Sequence, residues 1–115
     1  MEQKITLHEL CDTVGVSRRA VQGYEKEGLV QASDRNKYGH LLYDEKAQIR
    51  IAQIKLYQQF GFRIKEIKVL LDAPGGVVKE ALEHQVVHMK EEQVKIEALI
   101  KRAHELIDAI RKGEE

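Results

Sequence analysis

The sequence of 115 residues has very little cysteine and proline, few aromatic residues and no long apolar run. Its single cysteine, Cys11, excludes an internal disulfide framework. One proline, four Tyr, two Phe and no Trp favour long helices over an all-β fold. No segment approaches the roughly 18 apolar residues that span a bilayer, and the N-terminus lacks the apolar segment of a secretion signal. We therefore expect a cytoplasmic protein with no membrane partner.

The chain also lacks a surplus of charge of either sign, since it has 19 basic and 19 acidic residues. Residues 1–72 carry 12 Lys/Arg and 10 Asp/Glu, a difference of +2, and residues 73–115 carry 7 and 9, a difference of −2. Nucleic-acid-binding domains are usually basic. Any binding to DNA must therefore depend on where a few cations lie and not on net charge.

The sequence shows no residue pattern typical of an enzyme. It has no Ser/His/Asp set, no paired carboxylates in a pocket-like context and no glycine-rich phosphate loop. His84 and His88 have the spacing of a metal pair on one helix face, but such residues among many Glu and Lys are more often simply exposed. Cys11 has no second cysteine to complete a metal or redox site. We expect no enzyme activity, no cofactor and no bound metal.

Residues 6–28 have the pattern of two short helices. Thr6 and Glu9 have the spacing of a capping box, which begins a helix that Gly15 ends. Ser17 is a suitable N-cap for a second helix, and Gly28 follows where a left-handed residue is favoured. Two short helices joined by about three residues that include Gly predict a helix-turn-helix.

The next segment, residues 29–43, alternates loosely and contains turn formers, which predicts a short two-stranded hairpin called a wing. Asp44 is a suitable cap for a third helix that runs to Gly61, and residues 62–71 form a further amphipathic segment. The stretch 72–76 contains the proline and two glycines and is the clearest break in the chain. We expect residues 1–73 to form a winged helix-turn-helix domain.

Nothing interrupts a helix from about Val78 to Ile110, which would be about 50 Å long. Apolar residues recur along it every seven residues, with further apolar residues between them. A lone helix would leave this stripe in water, and the chain has no second long helix, so we expect a homodimer formed through residues 77–112. The expected dimerisation residues are Leu82, Met89, Ile96, Leu99, Ala103, Leu106 and Ile110.

The second short helix begins with Arg18 and Arg19, which helix stability alone does not explain because cations are unfavourable at a helix N-terminus. A DNA phosphate or a guanine edge would explain them, whereas the alternative is a pair of solvated arginines. Gln22 could pair with adenine, and Tyr24 belongs either to the core or to a phosphate contact. The expected DNA-binding residues of this helix and of the wing are Ser17, Arg18, Arg19, Gln22, Tyr24, Arg35, Lys37, Tyr38 and His40.

The order of these motifs resembles the MerR family of transcription regulators along nearly the whole chain. The wing dipeptide Gly39-His40 and the stretch from Lys79 to Gln85 are most similar to the TipA/Mta branch. Gln22, Gly23 and Leu41 stand where the family has Arg, Tyr and Arg. The residues that match the family pattern are Gly15-Val16-Ser17, Val21, Tyr24-Glu25, Gly28-Leu29, Arg35, Gly39-His40, Tyr43, Gly61-Phe62, Ile64, Glu66-Ile67 and Leu70-Leu71.

The resemblance implies an all-α fold with a small β wing, in which a winged helix-turn-helix is followed by a long dimerisation helix in an antiparallel coiled coil. It implies a dimer that binds double-stranded DNA at a pseudo-palindromic promoter operator and distorts it so that RNA polymerase can engage. In the TipA/Mta branch an effector domain follows the long helix, so the chain is either a short member or the DNA-binding half of a longer protein. Metal-sensing members carry cysteines at the end of that helix, and this chain has none there.

Two other hypotheses stay open at this point. A protein-interaction adaptor that keeps the winged fold but has lost DNA affinity is favoured by the neutral charge and by Gly23 and Leu41. An architectural protein similar to excisionases would bend DNA without recruiting polymerase, but the long helix argues against it.

Overall fold

A computed structural model describes residues 3–114 of the chain. The chain divides into two compact units, Met1–Ala73 and Pro74–Glu115. Residues 1 and 2, which fall within the domain expected over residues 1–73, lie outside the described part. The first unit contains four helices and a small sheet among its described residues, and the second is one long helix.

The first unit begins with strand β1 (Ile5–Thr6) and continues into helix α1 (Leu7–Val14). The predicted capping box is confirmed, because the Thr6 hydroxyl accepts the Glu9 amide at 3.3 Å and the Glu9 carboxylate accepts the Thr6 amide at 3.0 Å. These two bonds satisfy backbone donors that have no partner inside the helix. Gly15 ends α1 in the left-handed conformation, with φ of 76°.

Helix α2 (Arg18–Lys26) follows after a short turn. As predicted, Ser17 caps it by accepting the Ala20 amide at 3.0 Å. Gly28 has φ of 75°, and the Leu29 amide next to it donates to the Tyr24 carbonyl at 2.9 Å. This arrangement is a Schellman motif, which closes the helix and turns the chain toward the wing.

The wing consists of strands β2 (Asp34–Arg35) and β3 (Leu41–Tyr43), which pair antiparallel. The sheet also has a third strand, which the local sequence pattern does not predict. Strand β1 pairs with the other edge of β3 and places Ile5 opposite Tyr43. A two-residue strand is too short to show alternation, and its pairing partner lies far away in the sequence. The sheet thus joins the start of α1 to the wing.

Helices α3 (Glu45–Gln59) and α4 (Ile64–Leu70) complete the first unit. Asp44 caps α3 as predicted, by accepting the Ala47 amide at 2.8 Å. The core gathers one apolar face from each of the four helices together with β3. Its fully buried side chains are Leu10, Val21, Leu29, Tyr43, Ile51, Ile54 and Ile67.

Arg50 of α3 links two distant parts of this unit. Its Nε donates to the Leu29 carbonyl after α2, and its two terminal nitrogens bind the Asp72 carboxylate at 3.1 and 3.3 Å. These bonds hold Asp72 ionised, because the Arg50 guanidinium lowers the pKa of that carboxyl. The exit from the helix-turn-helix is therefore tied to the end of the first unit.

The second unit is helix α5, which spans Gly75–Glu114 and has 40 residues, or about 60 Å at 1.5 Å per residue. It begins three residues earlier than the expected start near Val78, because the Pro74 carbonyl accepts the amides of Val77 and Val78 at 3.0 and 3.2 Å. Proline before the first turn does not disturb a helix, since the amide it lacks would have no partner there. Within residues 3–114, no helix is both long and apolar enough to cross a membrane.

The core of the first unit offers a stability test with a control in the same helix. Ile54 is completely buried and Ile49 is 53% exposed. Because truncation of a buried isoleucine leaves a cavity, Ile54→Ala should lower the free energy of unfolding by about 2–5 kcal/mol. Ile49→Ala should change it by less than about 0.5 kcal/mol. Urea unfolding followed by circular dichroism at equal protein concentration measures the free energy of unfolding of each variant. Equal losses in the two variants would contradict the burial of Ile54.

Candidate nucleic-acid interface

Helix α2 is oriented by the burial of one side. Val21 and Tyr24 lie in the core, so Arg18, Arg19 and Gln22 lie on the opposite, exposed side. No hydrogen bond or ion pair to another described residue engages these three side chains. The arginine pair and the glutamine are therefore available to a ligand outside the protein.

The first turn of α2 is strongly electropositive. It contains two arginines and no acidic residue, and its backbone amides add the positive end of the helix dipole. The Ser17 hydroxyl already accepts the Ala20 amide, but its own proton is free to be donated. A helix start of this kind attracts anionic groups.

Tyr24 was expected among the DNA-binding residues, but it lies in the core. Its side chain is only 4% exposed, and its hydroxyl donates to the Gln58 side-chain oxygen on α3. Burial raises the pKa of this hydroxyl. Tyr24 is therefore a core residue that joins α2 to α3, and its hydroxyl already has a partner within the protein. The core interpretation replaces the expected phosphate contact.

The turn of the wing is built around Asn36. Its side-chain oxygen accepts the amides of Tyr38 and His40, both at 3.0 Å. Gly39 adopts φ of 80°, and its carbonyl accepts a hydrogen bond of 2.7 Å from Arg35. Part of the Arg35 guanidinium thus stabilises the turn, which leaves its other donors for an external partner.

Three further wing side chains point into solvent. The Lys37 ammonium lies 5.1 Å from the centre of the Tyr38 ring, a cation–π distance, and Tyr38 is 71% exposed. The rings of Tyr38 and His40 are 6.3 Å apart. A basic and aromatic tip of this kind suits the backbone or minor groove of a duplex.

The start of α2 and the wing line one cleft of about 500 Å³. Arg18 contributes from α2, and Gly39, His40 and Leu41 contribute from the wing. The third wall is the start of α1, which includes His8. The local sequence of that segment indicates only a capping box, because no local pattern shows that the strand pairing of β1 brings it beside the wing.

The scaffold behind this surface is held by a second buried tyrosine. Tyr43 of β3 is completely buried, and its hydroxyl donates to the Glu25 carboxylate on α2. Burial, together with the adjacent Glu25 carboxylate, raises the pKa of Tyr43. The bond fixes the wing strand β3 against α2.

The expected dimerisation residues all lie on α5, in which no described side chain is buried. Leu82 is half-buried and the other six are exposed; the exposed fractions of Ile96 and Leu106, for example, are 55% and 63%. His84 and His88 lie on this helix too, and among residues 3–114 no three His, Cys, Asp or Glu side chains cluster as a metal site.

The family model described as MerR HTH family regulatory protein matches residues 5–74. Nodulation protein NolA of Bradyrhizobium sp. (strain NC92) is 31% identical over 90% of this chain and 40% of its own length. The mta transcriptional activator of Bacillus subtilis is 27% identical over 96% of this chain and 43% of its own length. The chain thus spans about two fifths of these two relatives.

The chain covers most of the length of a shorter relative. The mercuric resistance operon regulatory protein of Bacillus cereus is 29% identical over 91% of this chain and 82% of its own length. This relative and the mta activator are named as regulators of an operon or of transcription.

Solved structures share the fold. A MerR family transcriptional regulator from Bacillus cereus superposes with a TM-score of 0.82 and 24% identity, covering 98% of this chain and 87% of its own. HiNmlR, a MerR family regulator lacking the sensor domain and bound to promoter DNA, gives a TM-score of 0.75 with 17% identity, covering 97% and 94%. With the helix-turn-helix, the wing and the long helix all present and the family model matching more than half of the chain, the protein belongs to the MerR family of helix-turn-helix regulatory proteins.

Proposed function

We propose that the protein is a homodimeric transcription regulator that binds a pseudo-palindromic promoter operator in double-stranded DNA and distorts it. Each first unit contributes one DNA-binding surface from α2 and the wing, and α5 holds the two copies together. The residues that contact DNA are Ser17, Arg18, Arg19 and Gln22 from α2, and Arg35, Lys37, Tyr38 and His40 from the wing.

One observation carries this proposal: the start of α2 and the turn of the wing line the same cleft, so both face one surface. A helix-turn-helix places the start of its second helix in the major groove. A wing beside that helix reaches the flanking backbone or minor groove. A single duplex can therefore contact Arg18 and His40 together.

The exposed side of α2 has the donors that base and phosphate recognition need. Arginine pairs with both acceptors of a guanine edge, and glutamine pairs with adenine through a donor and an acceptor. Arg19 and Gln22 lie about one turn apart on the exposed side and have no partner within the described residues. Arg18 lies nearer the wing, in the cleft, where a phosphate contact is favoured.

The apolar stripe of α5 supports the homodimer. A helix of 40 residues without a buried side chain leaves its stripe in water, and heptad spacing matches a second helix of the same kind. Burying a leucine or isoleucine contributes roughly 1.5–3 kcal/mol, so the repeated residues supply ample stabilisation. The MerR resemblance favours the antiparallel arrangement, and it favours RNA polymerase as the partner that the distorted promoter serves.

The neutral net charge favours a second candidate, an adaptor that keeps the fold without DNA affinity. Salt dependence separates the two functions. A regulator that neutralises several phosphates releases counterions, so its affinity falls steeply as salt rises. An adaptor shows no duplex binding under any salt concentration.

The first test removes the two arginines at the start of α2. Arg18→Ala with Arg19→Ala should weaken binding to a duplex selected by the wild-type protein from a random library by at least about tenfold, because cation–phosphate and guanine contacts are lost. The slope of log affinity against log salt should fall by about 0.9 for each phosphate contact removed. Fluorescence anisotropy at several salt concentrations measures both quantities.

A matched control removes the same charge elsewhere. Lys90 and Lys101 are exposed on α5 and lie outside its apolar stripe. Lys90→Ala with Lys101→Ala should leave the affinity within about twofold and the dimer intact. If both double variants lose affinity equally, net charge and not the α2 surface explains binding.

The second test disrupts the apolar stripe. Ile96→Asp should yield monomers, because a carboxylate in an apolar helix seam loses its hydration. Lys101→Asp introduces the same side chain outside the stripe and should leave a dimer. Sedimentation velocity measures the mass of each variant, and an Ile96→Asp dimer of wild-type stability would show that another surface joins the copies.

A further inference from the structure

The cleft between the start of α1, the start of α2 and the wing contains an unusual set of side chains. Its lining includes Arg18, which carries a permanent positive charge, and two histidines, His8 and His40. Each comes from a different element: His8 from α1, Arg18 from α2 and His40 from the wing turn. Histidine takes up a proton between about pH 5 and pH 8. A cleft with this lining gains positive charge when its histidines are protonated.

We propose that this cleft binds one phosphate of the DNA backbone, and that protonation of His8 and His40 strengthens the binding. The inference rests on the proposed DNA-binding function and extends it to a defined phosphate site with a pH dependence. The phosphate lies against Arg18 and is flanked by the two imidazoles.

The start of α1 adds a backbone donor at the wall of the cleft. His8 is the second residue of α1, and its amide has no acceptor within its own helix. The Thr6 hydroxyl does not compete for the ligand, because it is held by the Glu9 carboxylate at 3.0 Å and the Glu9 amide at 3.3 Å. An anion in the cleft therefore gains charge from Arg18 and a hydrogen-bond donor from α1.

The charged groups around His8 are few. The Asp12 carboxylate lies 3.7 Å from the His8 imidazole, one turn along the same helix. The Glu9 carboxylate beside it is engaged by Thr6, whose backbone amide lowers the pKa of that carboxyl. Arg18 faces His8 from α2 across the cleft. His8 therefore has one anionic neighbour on its own helix and one cation that lines the same cleft.

The wing surrounds His40 mainly with cations. Lys37 lies in the same turn beside Tyr38, and Arg35 holds the Gly39 carbonyl next to His40. The Tyr38 ring is 6.3 Å from the imidazole. A bound phosphate adds an anion to this group of cations. Because a phosphate and a protonated imidazole attract each other, binding of DNA and uptake of protons are coupled in the same direction.

The coupling between proton uptake and DNA binding makes the affinity depend on pH. If the complex holds more protons than the free protein and DNA, the affinity rises as pH falls. Wild-type affinity for its selected duplex, measured by fluorescence anisotropy at constant ionic strength, should increase about tenfold between pH 7.5 and pH 6.0, since two added charges meet one phosphate site. His8→Gln with His40→Gln should reduce this change to less than about twofold.

A control uses the three remaining histidines of the chain. His84, His88 and His104 are all exposed on α5. Replacing these three with glutamine should leave the full tenfold pH dependence in place. A direct readout accompanies it, because the NMR titration midpoints of the His8 and His40 imidazoles should be higher in the DNA complex than in the free protein, and those of the α5 histidines should not change.

Two results would overturn the inference while leaving the proposed function standing. Wild-type affinity independent of pH would do so, as would a pH dependence that survives in His8→Gln with His40→Gln. Absence of duplex binding by the wild type at both pH values and low salt would instead contradict the proposed function itself, and the inference with it.

Discussion

The rotation of α2 about its own axis is the constraint on which the rest of the molecule depends. Two buried hydroxyl groups fix it from two sides: Tyr24 reaches α3 through Gln58, and Tyr43 reaches α2 through Glu25. Burial of both rings makes these bonds costly to lose, because an unpaired buried hydroxyl loses its hydration. Any other rotation would bring charged residues into the core. The same packing that stabilises the unit therefore determines which face of α2 meets solvent.

Charge placement explains how a chain of zero net charge can present a cationic surface. Several cations of the first unit have partners that hold the fold together: Lys4 with Asp34, Arg35 with the Gly39 carbonyl, Arg50 with Asp72, and Lys55 with the Val14 carbonyl. The α2 arginines have no such partner among the described residues. The net charge counts cations with and without an internal partner equally, whereas a polyanion interacts mainly with the cations that have no internal partner.

Local signals in the sequence predicted much of this fold, and long-range contacts account for what they missed. The caps at Thr6, Ser17 and Asp44 were predictable because each satisfies amides three residues away. Strand β1 and the place of His8 beside the wing were not, because both depend on pairing with β3 more than 30 residues later. The core position of Tyr24 was left open for the same reason, since its partner Gln58 lies 34 residues away. Site residues on one element were thus predictable, and their grouping into a cleft was not.

In the proposed dimer, α5 compensates for the small DNA-contacting surface of the first unit. In the proposed dimer, the first unit of each copy offers only a few side chains to the bases, and each good pairing contributes about 1–3 kcal/mol of discrimination. One copy alone would therefore bind weakly and select poorly. Joining two copies makes binding by the second copy intramolecular. This raises the overall affinity without any new contact, provided that the distance between the two first units matches the distance between the half-sites in the DNA. A continuous helix is suited to this task because its hydrogen-bonded backbone resists compression over its whole length. The exposed apolar residues of α5 are consistent with this proposed pairing, and the stiffness of the paired helices would set which half-site separation is accepted.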